Sequence, residues 1–160
     1  MNRLPAATLF FSLMIFSGCN KNKIYDRIID LPGRSWPKEQ SLDFQFSVMD
    51  PGPDYRISYS LRNSRHFKYY NLYLSCTIQD TLGNILESKL ANFNLFEPKT
   101  GEPLGDGMGD LFDHRLVAFE KYHFDNPGAY ILKVRQYMRE DTLMEIMAVG
   151  LVVEKIDAPM

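Results

Sequence analysis

Leu42-Asp43-Phe44-Gln45-Phe46-Ser47-Val48, the break Asp50-Pro51-Gly52-Pro53-Asp54, and then Tyr55-Arg56-Ile57-Ser58-Tyr59-Ser60-Leu61 form the stretch that decides the fold. Apolar and polar residues alternate with a period of two on both sides of the break. That is the mark of strands with one buried face. The break cannot continue a strand ladder, because its two prolines lack an N–H and its glycine favours a turn.

The same grammar runs on toward the C-terminus. A third strand is expected over 69–79, closed by the hairpin-turn sequence Asp80-Thr81-Leu82-Gly83-Asn84, and a fourth over 85–93. Residues 96–113 are the longest irregular stretch, rich in glycine and holding Pro98 and Pro103. A fifth strand fits 115–124 and stops at Asp125-Asn126-Pro127-Gly128. Tyr130, Leu132, Val134 and Met138 then line one face of a sixth, with Gln136 among them at the same period. After the polar turn Arg139-Glu140-Asp141-Thr142, a last strand over 143–154 is apolar on both faces, as expected of a central strand covered on two sides. This spacing of turn signals, without an amphipathic helix, predicts an all-β fold: an antiparallel β-sandwich of about seven strands.

The N-terminus reads differently. Arg3 is followed by an apolar run over 4–16 and then by Ser17-Gly18-Cys19, the three parts of a bacterial lipoprotein signal peptide. The run is too short to span a bilayer, which needs roughly 20 apolar residues. Phe16 at position −3 suits a lipobox better than an ordinary signal-peptidase site. Cleavage is therefore expected between Gly18 and Cys19, with diacylglycerol on the Cys19 sulfur and an acyl chain such as palmitate on its new amino group. The expected organisation is a signal peptide over 1–18, a lipidated cysteine and tether over 19–35, and a β-sandwich domain over 36–156, with Ile24, Tyr25, Ile28, Ile29 and Leu31 arguing that part of the tether docks onto the domain.

Arg3 is the only charged side chain in the signal segment, so 17 basic and 20 acidic side chains remain after cleavage, a net charge of −3. Such a balance gives no electrostatic reason to bind nucleic acid. With Cys19 consumed by lipid, Cys76 has no intrachain partner; it falls on the apolar face of the third strand and is expected in the core as a small hydrophobe. Asn20-Lys21-Asn22-Lys23 carries no acidic run after the anchor, which favours a periplasm-facing protein on either the inner or the outer membrane.

No residue pattern proposes catalysis. Asp106, Asp110 and Asp113 in the glycine-rich loop invite a calcium reading, but Met108 and Leu111 stand where an EF-hand needs a ligand and its turn glycine. His66, His114 and His123 lack zinc-site spacing, and neither a phosphate loop nor a nucleophile elbow is present. The expectation is a non-enzyme with no metal and no cofactor beyond its covalent lipid. Two aromatic features remain: Trp36-Pro37, and Tyr69-Tyr70-Asn71-Leu72-Tyr73 at the start of the third strand. By strand parity Tyr70 is expected inside, while Tyr69 and Tyr73 share the outward face as a candidate interaction surface.

The order and spacing of several motifs resemble the GldH family of gliding motility lipoproteins from Bacteroidota. They are Cys19, Trp36 ahead of the Phe44/Phe46 strand, Tyr55-Arg56-Ile57 running into Leu61-Arg62-Asn63, and Tyr70-Asn71-Leu72-Tyr73-Leu74. They continue through the 105–109 loop, Asn126-Pro127-Gly128-Ala129-Tyr130, Gln136-Tyr137-Met138-Arg139, Leu143 and Val149-Gly150-Leu151. Pro103 departs from the aromatic residue expected before Leu104-Gly105. The resemblance implies an accessory, non-catalytic lipoprotein of the gliding machinery. Its implied partners are the membrane, through Cys19, and other envelope proteins associated with gliding and type IX secretion. A glycan- or solute-binding periplasmic lipoprotein, using Tyr69 and Tyr73 to stack on its ligand, is the alternative.

Overall fold

Leu42, Phe44, Phe46 and Val48 are buried and the residues between them exposed, as a period of two requires of a strand facing a core on one side. The computed structural model describes residues 22–156, so Gly18 and Cys19 lie outside the described residues. The strands are β1 (Lys23–Asp30), β2 (Ser35–Pro37), β3 (Leu42–Val48), β4 (Tyr55–Ser64), β5 (Asn71–Asp80), β6 (Ile85–Asn94), β7 (Asp106–Met108), β8 (Leu111–Tyr122), β9 (Gly128–Gln136), β10 (Thr142–Met144) and β11 (Ile146–Lys155). They form a five-stranded sheet, β1-β11-β4-β8-β7, a four-stranded sheet, β3-β9-β5-β6, and a small β10-β2 pair. Every pairing is antiparallel.

The two large sheets face each other across one apolar cluster. Tyr25 of β1 lies 5.7 Å from Phe46 of β3, and Tyr59 of β4 lies 6.0 Å from Phe93 of β6, each pair spanning the two layers. At one end Phe46, Tyr55, Tyr122, Phe124 and Tyr130 make an aromatic plug whose Phe124 neighbours sit 4.6–5.8 Å away, at edge-to-face or tilted angles. Each fully buried apolar side chain contributes about 1.5–3 kcal/mol relative to exposure. Cys76 is among the core residues, and burial pushes its thiol up to about 11.

The seven strands read from the sequence are β3, β4, β5, β6, β8, β9 and β11. Three differences stand out. Residues 23–30 are not tether: they form β1, hydrogen-bonded along β11 from Lys23 opposite Glu154 to Asp30 opposite Ala148. The sheet therefore begins 13 residues before the expected boundary at residue 36. Second, the last strand is broken at Glu145, whose φ of +68° turns the chain out of the ladder and separates β10 from β11. Glu145 is locked there by its N–H to the Arg34 carbonyl (2.7 Å) and by the Ser64 hydroxyl donating to its carboxylate (2.6 Å). Third, among the described residues no second layer covers the outer face of β11. Ala148, Gly150 and Val152 are buried there because they are small or flanked by longer neighbours. Ile28 lies directly over Gly150, where a Cβ would come within 2.9 Å of both the Ile28 side chain and the Arg27 carbonyl.

His114 is a titratable group at odds with its surroundings. It points inward opposite Leu61, is 5% exposed, and its Nε2 has no protein partner among the described residues. Gly105 lies against the ring, where a Cβ would fall 2.8 Å from Nδ1 and Cε1. Burial holds this imidazole below its ordinary value, partly opposed by Asp113 and Asp106. The unfolded chain therefore takes up this proton near pH ~6.5 while the folded chain resists it, so stability is full above that pH and falls as pH drops through it. Thermal unfolding between about pH 7.5 and about pH 5 should show this loss, and His114→Gln should flatten it. Equal slopes for the two proteins would contradict the assignment.

Candidate interaction groove

The outer face of the four-stranded sheet carries the exposed aromatics. On β5 the side chains alternate from Asn71 onward, which sends Tyr73 outward with Ser75 and Thr77 while Leu72, Leu74 and Cys76 go in. Leu90 of β6, the Cα partner of Ser75, shares that outward face. At the end of β9 the chain curls over this surface and brings Tyr137, Met138 and Arg139 with it.

Gln136 produces that curl. It occupies a core position, 1% exposed, and its amide is consumed within the turn. Its Nε2 donates to the Glu140 carbonyl (3.0 Å), and its Oε1 accepts from the Met138 N–H (2.8 Å). The Tyr137 N–H then donates to the Tyr73 carbonyl at 2.8 Å, which seats the two tyrosines side by side. A polar residue at an apolar period is thus a turn-forming residue, with both ends of its amide satisfied.

Lys38, Tyr69, Tyr73, Leu90, Tyr137, Met138 and Arg139 line an open groove of about 700 Å³. Tyr73 and Tyr137 are 39% and 59% exposed, so their rings are available. Tyr69 contributes one wall and is more fixed. Its ring packs edge-on to Phe67 at 5.9 Å, its hydroxyl donates to the Glu140 carboxylate, and Lys68 pairs with the same carboxylate at 2.7 Å. Glu140 is thereby neutralised, and the Lys68 and Tyr69 hydrogen bonds hold its carboxyl below the usual range. Lys38 and Arg139 stand on the rim without an ion-pair partner among the described residues. The groove is apolar at its floor and positive at its edge.

The sequence expectations fall unevenly here. Tyr69 and Tyr73 do share one groove. Tyr70 is 49% exposed rather than inside, because it precedes β5 in a bend where its carbonyl accepts the Leu95 and Phe96 N–H groups. Trp36 is fully buried and takes no part in any surface cluster. Tyr137, Met138 and Leu90 are not part of the interaction surface expected from the sequence, which places Met138 on the face shared with Leu132 and Val134; the signal that could have found Tyr137 is the misplaced Gln136 beside it.

A second depression, about 490 Å³, lies over the outer face of the five-stranded sheet and includes Ile28, Ser60, Arg62, Asp113 and Arg115 in its lining. Both of its arginines are held in ion pairs. Arg62 grips Asp113 with two hydrogen bonds of 2.7 and 2.9 Å, and Arg115 pairs with Glu154 at 2.5 Å. Among the described residues no group of three or more His, Cys, Asp or Glu side chains converges as a metal site would require.

Comparison with known proteins places this architecture among relatives. A family model described as GldH lipoprotein matches residues 23–153, from the first residue of β1 to near the end of β11. A gliding motility lipoprotein GldH homolog of Christiangramia forsetii is 30% identical over 154 residues, covering 92% of this chain and 93% of that protein. The gliding motility lipoprotein GldH of Flavobacterium johnsoniae is 26% identical over 160 residues, covering 93% and 94%. Among solved structures, a non-crystalline-cellulose-specific carbohydrate-binding module superposes with a TM-score of 0.42 at 12% identity, over 83% of this chain and 75% of that one. That likeness is too loose to bear on what this chain binds.

Proposed function

This chain belongs to the GldH lipoprotein family, a lipoprotein of gliding motility, and from that premise we propose that it acts without catalysis, by holding another envelope protein in its aromatic groove. Cys19 carries the lipid in this reading, and the polar, basic Asn20-Lys21-Asn22-Lys23 after it supports a periplasm-facing domain. The observation that carries the proposal is the groove itself: two accessible tyrosines and Leu90 on a rigid sheet, rimmed by Lys38 and Arg139. Aromatic side chains supply large contact area at small entropic cost, and unpaired rim cations select a partner that presents carboxylates beside an apolar side chain.

Lipid anchoring lets such an interface be small. Two proteins confined to one leaflet meet at a raised effective concentration, so a weak contact suffices. The non-catalytic reading is supported by the ion pairs that hold Arg62 and Arg115 in the second depression. Among the described residues no hydroxyl or thiol side chain is hydrogen-bonded to a histidine ring, the pairing a nucleophile needs.

The test is the double variant Tyr73→Ala/Tyr137→Ala in a gliding strain lacking its own family member. Both side chains are partly or largely solvated, so the domain should remain folded, lipidated and at normal level while gliding is reduced several-fold. Normal gliding with this variant would overturn the proposal. Binding of one sugar class by the wild-type domain, lost in the variant, would replace it with a glycan-binding role.

A further inference from the structure

The most exposed large apolar side chains among the described residues are Leu82 (86%), Met49 (83%) and Ile85 (66%). All three stand at one end of the sandwich. Met49 follows β3 directly, Leu82 tips the β5–β6 hairpin, and Ile85 opens β6. Register fixes that they share an end. Val48 is opposite Gly128 and Asp80 is opposite Tyr130, so the β3–β4, β5–β6 and β8–β9 connections lie together. The first of the described residues are there too. Lys23 is opposite Glu154, the Lys155 N–H donates to the Asn22 carbonyl at 2.7 Å, and the Ile156 N–H donates to Asp54 at 2.8 Å.

That placement meets a covalent limit. Only Asn20, Lys21 and Asn22 separate Cys19 from the first residue of β1. Four residue steps at about 3.3 Å each reach roughly 13 Å when fully extended. An acylated Cys19 therefore holds this end, and not the groove end, against the bilayer. The long tether that would let the domain stand clear does not exist, because residues 23–30 are strand.

Three carboxylates at this end, Asp50, Asp54 and Asp80, are engaged within the protein, while Asp125 of the β8–β9 connection is exposed and has no ion pair among the described residues. Asp50 is paired with Lys155 at 2.9 Å, and Asp54 with Lys121 at 2.9 Å and His123 at 3.2 Å. Asp80 is turned into its own hairpin, accepting from the Leu82 and Asn84 N–H groups at 2.9 Å each. Beside these engaged acids Met49 and Leu82 project as apolar side chains.

We propose that the loop end bearing Met49 and Leu82 rests on the phospholipid bilayer, with both side chains entering its surface. The domain is then docked rather than swinging, and the aromatic groove, at the other end of strands about ten residues long, is presented on the order of 30 Å above the lipid. This inference rests on the reading that Cys19 is acylated, and the experiment separates the two.

Full-length lipidated protein is reconstituted into phosphatidylethanolamine–phosphatidylglycerol vesicles, and its acyl groups are confirmed by mass. Nitroxide labels are introduced at Met49→Cys, Leu82→Cys and, at the opposite end, Leu104→Cys. Cys76 is buried, so the introduced thiol is the one labelled. Labels at 49 and 82 should collide with a water-soluble nickel chelate several-fold less often than the label at 104, and more often with oxygen. Acylated protein whose three labels meet nickel equally would overturn the docking while leaving the anchor intact. Shielding at 82 that comes with dipolar broadening between labels would assign this end to a second copy and overturn it too. Protein without acyl groups would remove the anchor and the docking together.

Discussion

Cys19→Ser should leave the protein unlipidated, uncleaved and unable to support gliding. In the proposed reading the Cys19 sulfur accepts the diacylglycerol, and a serine hydroxyl lacks the nucleophilicity of a thiolate at neutral pH. Each buried methylene holds a lipidated chain in the membrane by about 0.8 kcal/mol, and two or more acyl chains make attachment effectively permanent. Without them the domain loses its confinement and the gain in effective concentration on which a weak groove interface depends. The check is threefold: a precursor 18 residues longer on gels, loss of fatty-acid labelling, and loss of gliding. Cells that glide normally on a soluble Cys19→Ser protein would contradict the anchoring role.

The second large effect lies in the core. Trp36→Ala should cost about 3–5 kcal/mol, the range for truncating a buried aromatic. Trp36 is fully buried, and its indole N–H donates to the Gln40 carbonyl at 3.1 Å. On β2 it stands opposite Leu143 of β10, itself 2% exposed, so the ring fastens the small sheet that closes the groove end of the sandwich. A domain of this size has about 5–15 kcal/mol in total, so the variant should unfold at markedly lower urea, followed by circular dichroism because the only tryptophan is gone. A loss below about 1 kcal/mol would mean the site collapses around the missing ring or that β2 is not integral to the fold.

What could be read from the residues depended on whether local pattern decided the outcome. The β3 and β4 alternation was unambiguous because one face is buried and the other wet. β1 was missed because its apolar residues come in doublets, Ile24-Tyr25 and Ile28-Ile29, which no two-residue period produces. In the structure a bulge near Lys23 shifts the register, and Ile28 faces outward over Gly150 rather than into the core. The break at Glu145 carries no residue-type signal, since glutamate is not a residue that favours positive φ; tertiary bonds to Arg34 and Ser64 impose it.

The groove was half legible. Tyr73 followed from strand parity, and Tyr69 was named with it on the same reasoning, although Tyr69 precedes β5 and is held by Glu140 instead. Tyr137 and Met138 depend on the turn built by Gln136, and Leu90 on cross-strand pairing, neither of which a single sequence displays. The lipid anchor runs the other way. The proposal for Cys19 rests on its flanking residues alone, because it lies outside the described residues.

Direct capture in gliding cells addresses the groove most immediately. A photo-crosslinking phenylalanine analogue placed at Tyr137 should form one discrete adduct with an envelope protein. The same analogue at Ser88, exposed on the same sheet face, should not. The adduct should also disappear when Lys38→Glu and Arg139→Glu reverse the rim charge. Cells that glide while position 137 gives no adduct, or the same adducts as position 88, would contradict a lipid-tethered module that works by gripping a partner in this groove.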